Sequence, residues 1–257
     1  MPAIIPIPAF RDNYIWALRE GGVAAVVDPG DATPVLAWLD ANRVALSAII
    51  ATHHHADHVG GIERLRARFD VPVFGPAREA IPARTCALAE NDRFDVPGIR
   101  LALRVLDIPG HTAGHIACFA GGADPLVFCG DTLFAAGCGR LFEGTPAQMS
   151  MSLAKLAALA PATRVYCGHE YTLANLRFAR AVEPDSDALV ARESRERAKR
   201  EQGLPTLPST IGEELATNPF LRAGLPHVMA SASRHAGRVI ADAVDAFAVL
   251  RDWKNTF

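Results

Sequence analysis

Residues 52–58 read Thr-His-His-His-Ala-Asp-His, so five side chains able to ligate a metal fall within six positions. An apolar run, Val44 to Ala51, leads into them. The glycine pair Gly60-Gly61 and a short helical pattern, Ile62 to Phe69, lead away. A buried strand that ends in a loop and resumes as a helix accounts for this order. In extended backbone, side chains two apart face the same way, so His53 and His55 can reach one ion together. Asp57 and His58 come after the turn and can aim at a second point nearby. Imidazoles and a carboxylate packed this closely need a cation or water to offset their polarity.

The same strand-to-loop pattern recurs three more times. Leu101 to Ile108 ends at Pro109-Gly110-His111, Leu126 to Cys129 at Gly130-Asp131-Thr132, and Arg164 to Cys167 at Gly168-His169-Glu170. Sites in α/β sheets lie at the carboxyl ends of strands. If these strands run side by side, the four loops meet at one edge. His53, His55 and His111 are then candidates to hold one metal, and Asp57, His58 and His169 a second, with Asp131 bridging them. Such donors suit zinc best, and also iron or manganese, without a thiolate. Two divalent ions, two carboxylates and a hydroxide leave a net charge of +1, suited to polarising a carbonyl. Metal binding can lower the pKa of water to about 7. No GxSxG motif or cysteine–base pair offers another nucleophile.

The rest of the chain divides near residue 170. Before it, Tyr14 to Leu18 and Val23 to Val27 flank Gly21-Gly22 as a hairpin, Thr33 to Asn42 reads as a helix, Val71 to Phe74 as a short strand and Ser150 to Leu159 as a helix. Beyond it the strand signals stop. Leu173 to Ala181 and Asp187 to Gln202 read as helices, the second polar enough to be a solvated face. Leu204 to Thr210 reads as a linker ending in a helix cap before Ile211 to Ala216. A long amphipathic helix is predicted over Ser231 to Trp253. The expected organisation is an α/β metal-binding domain over 1–170 and an α-helical domain over 171–257.

Of the 257 residues, 50% are hydrophobic and 21% charged, the composition of a globular chain with a sizeable core. A net charge of −2 gives no bulk field toward nucleic acid or membrane, so neither is an expected partner. Five scattered cysteines without a CxxC pair read as reduced thiols in a cytoplasmic protein. The apolar start is broken by Pro2, Pro6 and Pro8 and reads as an edge strand rather than a secretion signal. No apolar run reaches the roughly 18 residues of a membrane span.

Thr-His-x-His-x-Asp-His, Pro-Gly-His-Thr-x-Gly-His, Gly-Asp-Thr-Leu-Phe and Cys-Gly-His-Glu-Tyr resemble the metallo-β-lactamase superfamily. Three further pieces resemble its glyoxalase II (hydroxyacylglutathione hydrolase) family: Ala136-Gly-Cys-Gly-Arg-Leu-Phe-Glu-Gly-Thr145, Asn218-Pro-Phe-Leu-Arg222 and Arg251-x-x-Lys254. The resemblance implies an αββα sandwich with a C-terminal helical domain. It implies two metal ions on the seven side chains above, and a metal-held hydroxide as nucleophile, with Asp57 and Asp131 in catalytic positions. The implied reaction converts S-(R)-lactoylglutathione and water to glutathione and D-lactate, the second step of methylglyoxal detoxification. Arg140, Arg251 and Lys254 are implied to bind the glycine carboxylate of glutathione, and Tyr171 to offer a hydroxyl. Phe142 stands where relatives often carry tyrosine, which implies one hydrogen bond fewer and weaker binding. The alternatives are a mononuclear-iron enzyme acting on glutathione persulfide, whose relatives read Gly-Arg-Thr-Asp at Gly139-Arg-Leu-Phe142, and a non-catalytic metal-binding protein. A monomer is expected, because no long apolar dimer face is evident.

Other polar residues receive lesser roles. His54 is expected to point away from the ion, and His115 to be a hydrogen-bonded core histidine. His227 and His235 read as ordinary. Asp28 reads as an acceptor for a ligand imidazole or as a turn residue. Cys138 and Cys167 read as packing residues, and Gly130 and Gly168 as allowing close backbone approach to the metals.

Overall fold

The computed structural model describes residues 1–257. The first sheet runs in chain order: β1 (Ala3–Ala9), β2 (Asn13–Glu20), β3 (Val23–Val27), β4 (Ala45–Ile50), β5 (Val73–Pro76) and β6 (Cys86–Leu88). β1 to β3 are antiparallel and β3 to β6 parallel. The second sheet takes β7 (Arg93–Asp95), β8 (Ala102–Asp107), β9 (Ile116–Ala120) and β10 (Leu126–Gly130). A hairpin of β11 (Leu133–Phe134) and β12 (Gly137–Cys138) follows. β13 (Arg164–Cys167) and β14 (Ser209–Thr210) then complete the second sheet beside β10.

Alternation along the strands explains why two sheets stack. On β2, Tyr14, Trp16 and Leu18 join the core between the sheets, while Ile15 and Ala17 face the opposite way. That opposite face is covered by α1 (Ala32–Asn42) and α3 (Ile62–Arg68) through Val35, Leu39, Ile62 and Leu65. Trp16 crosses between the sheets, donating from Nε1 to the Cys167 carbonyl at 2.9 Å. α4 (Pro146–Ala157) joins the larger core through Met149, Leu153 and Leu156. The result is helix, sheet, sheet, helix, with further helices after residue 171: α5 (Thr172–Val182), α6 (Asp187–Glu201), α7 (Ile211–Thr217), α8 (Pro226–Ala236) and α9 (Ala243–Thr256). No helix is long and apolar enough to cross a membrane.

β1 is an edge strand, as its prolines imply. Three expectations need correction. The single helix over Ser231 to Trp253 is two helices. Gly237 ends α8 in the left-handed region at φ 65°, and Asp242 caps α9 by accepting from Val244 N and Asp245 N. The polar helix is not a solvated face throughout, because Arg192 and Glu196 on α6 are buried. Arg192 donates to Glu214 Oε1 at 2.6 Å and to Thr217 Oγ1 at 2.5 Å. Finally, the linker before α7 contains β14, so the helical half supplies a strand to the second sheet.

Candidate metal centre

Loops from both sheets meet at one end of the sandwich. β8, β10 and β13 share one direction, so His111, Asp131 and His169 follow their carboxyl ends. These strands are not all side by side: β9 separates β8 from β10, and the 53–58 loop comes from β4 in the other sheet. The sheets are laced together here by Tyr14 N donating to Gly168 O at 2.8 Å and Glu170 N to Asp12 O at 2.8 Å. Thr52 leaves β4 held by Asp28, which accepts from its amide and hydroxyl, each at 2.7 Å. The helical turn α2 (Ala56–Val59) then carries Asp57 and His58 past the His53–His55 stretch.

Two donor groups result. The ligating atoms of His53, His55 and His111 lie within 4.8 Å of one another, as do those of Asp57, His58 and His169. Asp28, His53 and His58 meet the same measure, but Asp28 already accepts from Thr52 and His58. Asp131 stands between the two groups. Its Oδ2 is 3.5 Å from His111 Nε2 and 3.2 Å from His169 Nε2, and its Oδ1 is 3.4 Å from His58 Nε2.

The residues fit a cation. Four imidazoles use Nδ1 to hydrogen-bond outward: His53 to Thr52 Oγ1 at 3.0 Å, His58 to Asp28 Oδ2 at 3.1 Å, His111 to Arg140 O at 2.8 Å and His169 to Asp12 Oδ1 at 2.8 Å. Such partners fix the tautomer and turn Nε2 inward. His53 Nε2, His58 Nε2 and Asp131 Oδ1 are buried without a hydrogen-bond partner, an arrangement that a bound cation relieves. Gly168 leaves space for these side chains. A Cβ there would lie 2.6 Å from both Asp131 Oδ1 and His58 Cε1. Gly130 has a different reason from the one expected: at φ 47°, its missing Cβ makes way for Thr52 and His115.

Electrostatics split the histidines. Burial opposes charge on His58, but the carboxylates of Asp131, Asp28 and Asp57 around it raise its pKa well above the usual range. Burial likewise opposes charge on His169, yet the Asp131 and Asp57 carboxylates, 3.2 and 3.4 Å from its Nε2, carry it up to about 10. Burial drives His53, His55 and His111 below the ordinary value, with neighbouring imidazoles adding to the effect. Burial also disfavours ionised Asp57 and Asp131, but the imidazoles around them hold both well below the carboxylate range.

A cavity of about 700 Å³ opens from this centre and is lined by His55, Asp57, His111, Asp131 and His169 at one end. Arg140, Phe142, Tyr171, Arg251 and Lys254 also line it. Arg251 is buried and donates to the Cys138 carbonyl at 2.7 Å. Burial lowers the Lys254 ammonium pKa, helped by Arg251, Arg177 and Arg140. Tyr171 stacks on His169 with ring centroids 4.7 Å apart. Phe142 is exposed, with its ring edge-on to His55 and His111 at 5.4 and 5.3 Å.

His115 is the core histidine expected, donating from Nδ1 to Ile116 O and accepting Asp131 N at Nε2. His54 points to Glu79 and Glu143. His227 is less ordinary than expected: it lies 2.6 Å from buried Glu183, which Arg222 also grips. Sequence reasoning missed Asp12, Thr52 and Glu79. Asp12 lies 157 positions from His169, and no local spacing links them. Thr52 offered a signal, as a hydroxyl directly before the ligand run.

Known proteins resemble this chain along its whole length. A model described as hydroxyacylglutathione hydrolase C-terminus matches residues 170–257, and one for the metallo-beta-lactamase superfamily matches residues 9–169. The curated hydroxyacylglutathione hydrolase of Alkalilimnicola ehrlichii is 59% identical over 257 residues, 99% of each chain. That of Nitrosomonas europaea is 55% identical over 254 residues, 99% of this chain and 96% of the other. Among solved structures, ETHE1 from Myxococcus xanthus superposes with a TM-score of 0.65 at 23% identity, over 96% of this chain and 91% of that one. TTHA1623, solved in a di-iron-bound form, gives 0.57 at 28% identity, over 86% of this chain and 99% of that one.

Proposed function

The chain belongs to the hydroxyacylglutathione hydrolase family of the metallo-beta-lactamase superfamily, and on that footing we propose that it hydrolyses S-(R)-lactoylglutathione at a two-ion centre. It is a thioester hydrolase: water adds to the carbonyl carbon, the C–S bond breaks, and glutathione and D-lactate leave. The observation that carries the two-ion reading is the pair of donor groups joined by Asp131, with buried Nε2 atoms left unpartnered. His53, His55 and His111 would hold one ion, Asp57, His58 and His169 the other, and Asp131 both. Histidine and carboxylate donors suit zinc first, with iron or manganese admitted. The di-iron form of the similar TTHA1623 supports double occupancy. Bound divalent ions supply an acidified water and polarise the thioester carbonyl.

The chain's own side chains do the rest. Asp57 lines the cavity as an ionised carboxylate, steadied by Asn13 Nδ2 at 3.0 Å, and orients water by accepting its hydrogen bond. Asp12 and Asp28 hold His169 and His58 in one tautomer. Arg140, Arg251 and Lys254, which all line the cavity, gather the glycine carboxylate and so set the substrate's direction. Phe142 packs against the substrate without the hydroxyl that would bond glutathione. The reading divides the chain into a metal-holding unit over 1–170 and a helical substrate-binding unit over 171–257, working as a cytoplasmic monomer. The mononuclear persulfide dioxygenase alternative is weaker, since the curated relatives above are hydrolases along the full chain.

The test is loss of lactoylglutathione thioester absorbance, with metal analysis of the same protein. Activity that chelation abolishes and divalent metal restores, with two ions per chain, is expected. Oxygen uptake with glutathione persulfide and no thioester hydrolysis would overturn the reading.

A further inference from the structure

Glu79 belongs to neither donor group, yet its carboxylate is buried and touches two ligand-bearing loops at once. It lies in the turn after β5. Its Oε1 accepts Gly114 N at 3.0 Å and the Thr112 hydroxyl, and its Oε2 faces His54 Nδ1 at 3.0 Å. Thr112 follows His111 directly and Gly114 lies two further on in the same loop, and His54 sits between His53 and His55. The approach is close: a Cβ on Gly114 would lie 2.6 Å from Glu79 Cγ. Arg84 anchors the Glu79 backbone, donating to its carbonyl at 2.7 Å. From the other side Glu143 accepts Ala113 N at 2.7 Å and lies 3.3 Å from His54 Nε2.

An ionised carboxylate in such a place makes charge-assisted hydrogen bonds, stronger and more directional than neutral ones. All of those from Glu79 end beside His53, His55 and His111. None ends on a residue adjoining His169, and Asp57 and His58 are oriented separately, through Asn13 and Asp28. We propose that Glu79 is a positioning residue for one ion: it preorganises the His53–His55–His111 group and leaves the Asp57–His58–His169 group to its own supports. This rests on the two-ion reading. Side chains that orient metal ligands typically change metal affinity about 10–100-fold when removed.

Metal-stripped wild type, Glu79→Gln and Glu79→Ala proteins are titrated with zinc against a chromophoric chelator, and each is also melted without metal. Wild type is expected to bind two ions. Glu79→Ala should bind one with wild-type affinity and the other about 10–100-fold more weakly. Glu79→Gln, which keeps one acceptor oxygen and the fold, should fall between. Two undiminished ions in both variants would overturn the proposal alone, as would equal weakening of both ions. One ion in the wild type would remove the two-ion reading and this proposal with it, a result distinct from the other two.

Discussion

At the scale of single residues, space and charge around the centre are set atom by atom. Gly168 is the clearest case, because a methyl group there meets Asp131 and His58 at 2.6 Å. Gly168→Ala should keep the fold, at an overpacking cost of about 1–3 kcal/mol, and lose metal and turnover together. Elemental analysis beside a melting curve reads both. Phe142→Tyr should lower KM roughly two- to tenfold, the worth of one hydrogen bond at about 0.5–1.5 kcal/mol, with kcat little changed. An unchanged KM refutes the reading of Phe142 as a binding residue lacking its hydroxyl. Lys254 sets a pH dependence. Burial and three nearby arginines lower its pKa, so the ammonium loses its proton as pH rises, before an ordinary lysine does. The charge that we propose binds the substrate carboxylate is present below that pKa and gone above it. The free-enzyme profile of kcat/KM should therefore fall on the alkaline side, and Lys254→Met should flatten that limb.

At the scale of elements, the helical half shapes the metal-side loops. The β11–β12 hairpin turns at Ala136, a non-glycine residue at φ 55°. Glu214 on α7 accepts Ala136 N at 2.7 Å. Asn218 donates to the carbonyls of Phe134 and Gly137 at 3.2 and 2.9 Å. Arg192 balances Glu214 in the interior. Glu214→Ala takes the nearest carboxylate from that buried guanidinium and leaves it Thr217 and the more distant Glu213, so it should cost about 3–5 kcal/mol. For a chain of this size that is a fall in Tm of roughly 6–20 °C, measurable by calorimetry. Raised KM should accompany it, because Cys138 of the hairpin and Gly139 and Arg140 directly after it line the cavity. The sequence could not announce this network. Arg192 and Glu196 sit among other charges on one polar helix, and only the partner α7 decides which are buried. β4, β8, β10 and β13 were legible because their apolar runs end at ligand loops, whereas β6, β7, β11 and β12 are two or three residues long and carry no such run. The break at Gly237 was not, since apolar periodicity runs through 231–253 and a lone glycine is a weak stop.

At the scale of the whole molecule, convergence was legible and its construction was not. His53, Asp57, His58, His111, Asp131 and His169 were all visible from spacing and motif. That they come from two sheets, laced by Asp12, Tyr14 and Trp16, depends on pairings more than 150 residues apart, which no local pattern encodes. The orienting acceptors Asp12 and Glu79 stayed hidden for the same reason. A consequence is that metal stabilises the whole sandwich. Ligand that binds only the folded state at one hundred times its Kd adds about 2.7 kcal/mol. Chelation should lower Tm reversibly, with zinc restoring it, as a thermal scan would record.

Ser209 and Thr210 lie in the helical half of the sequence but hydrogen-bond along Val165 and Arg164. The boundary in sequence and the boundary in space therefore disagree by one strand. Anyone swapping helical halves between relatives must graft those two positions with the recipient's sheet. A chimera cut at residue 170 would otherwise inherit a foreign border on the strand that delivers His169.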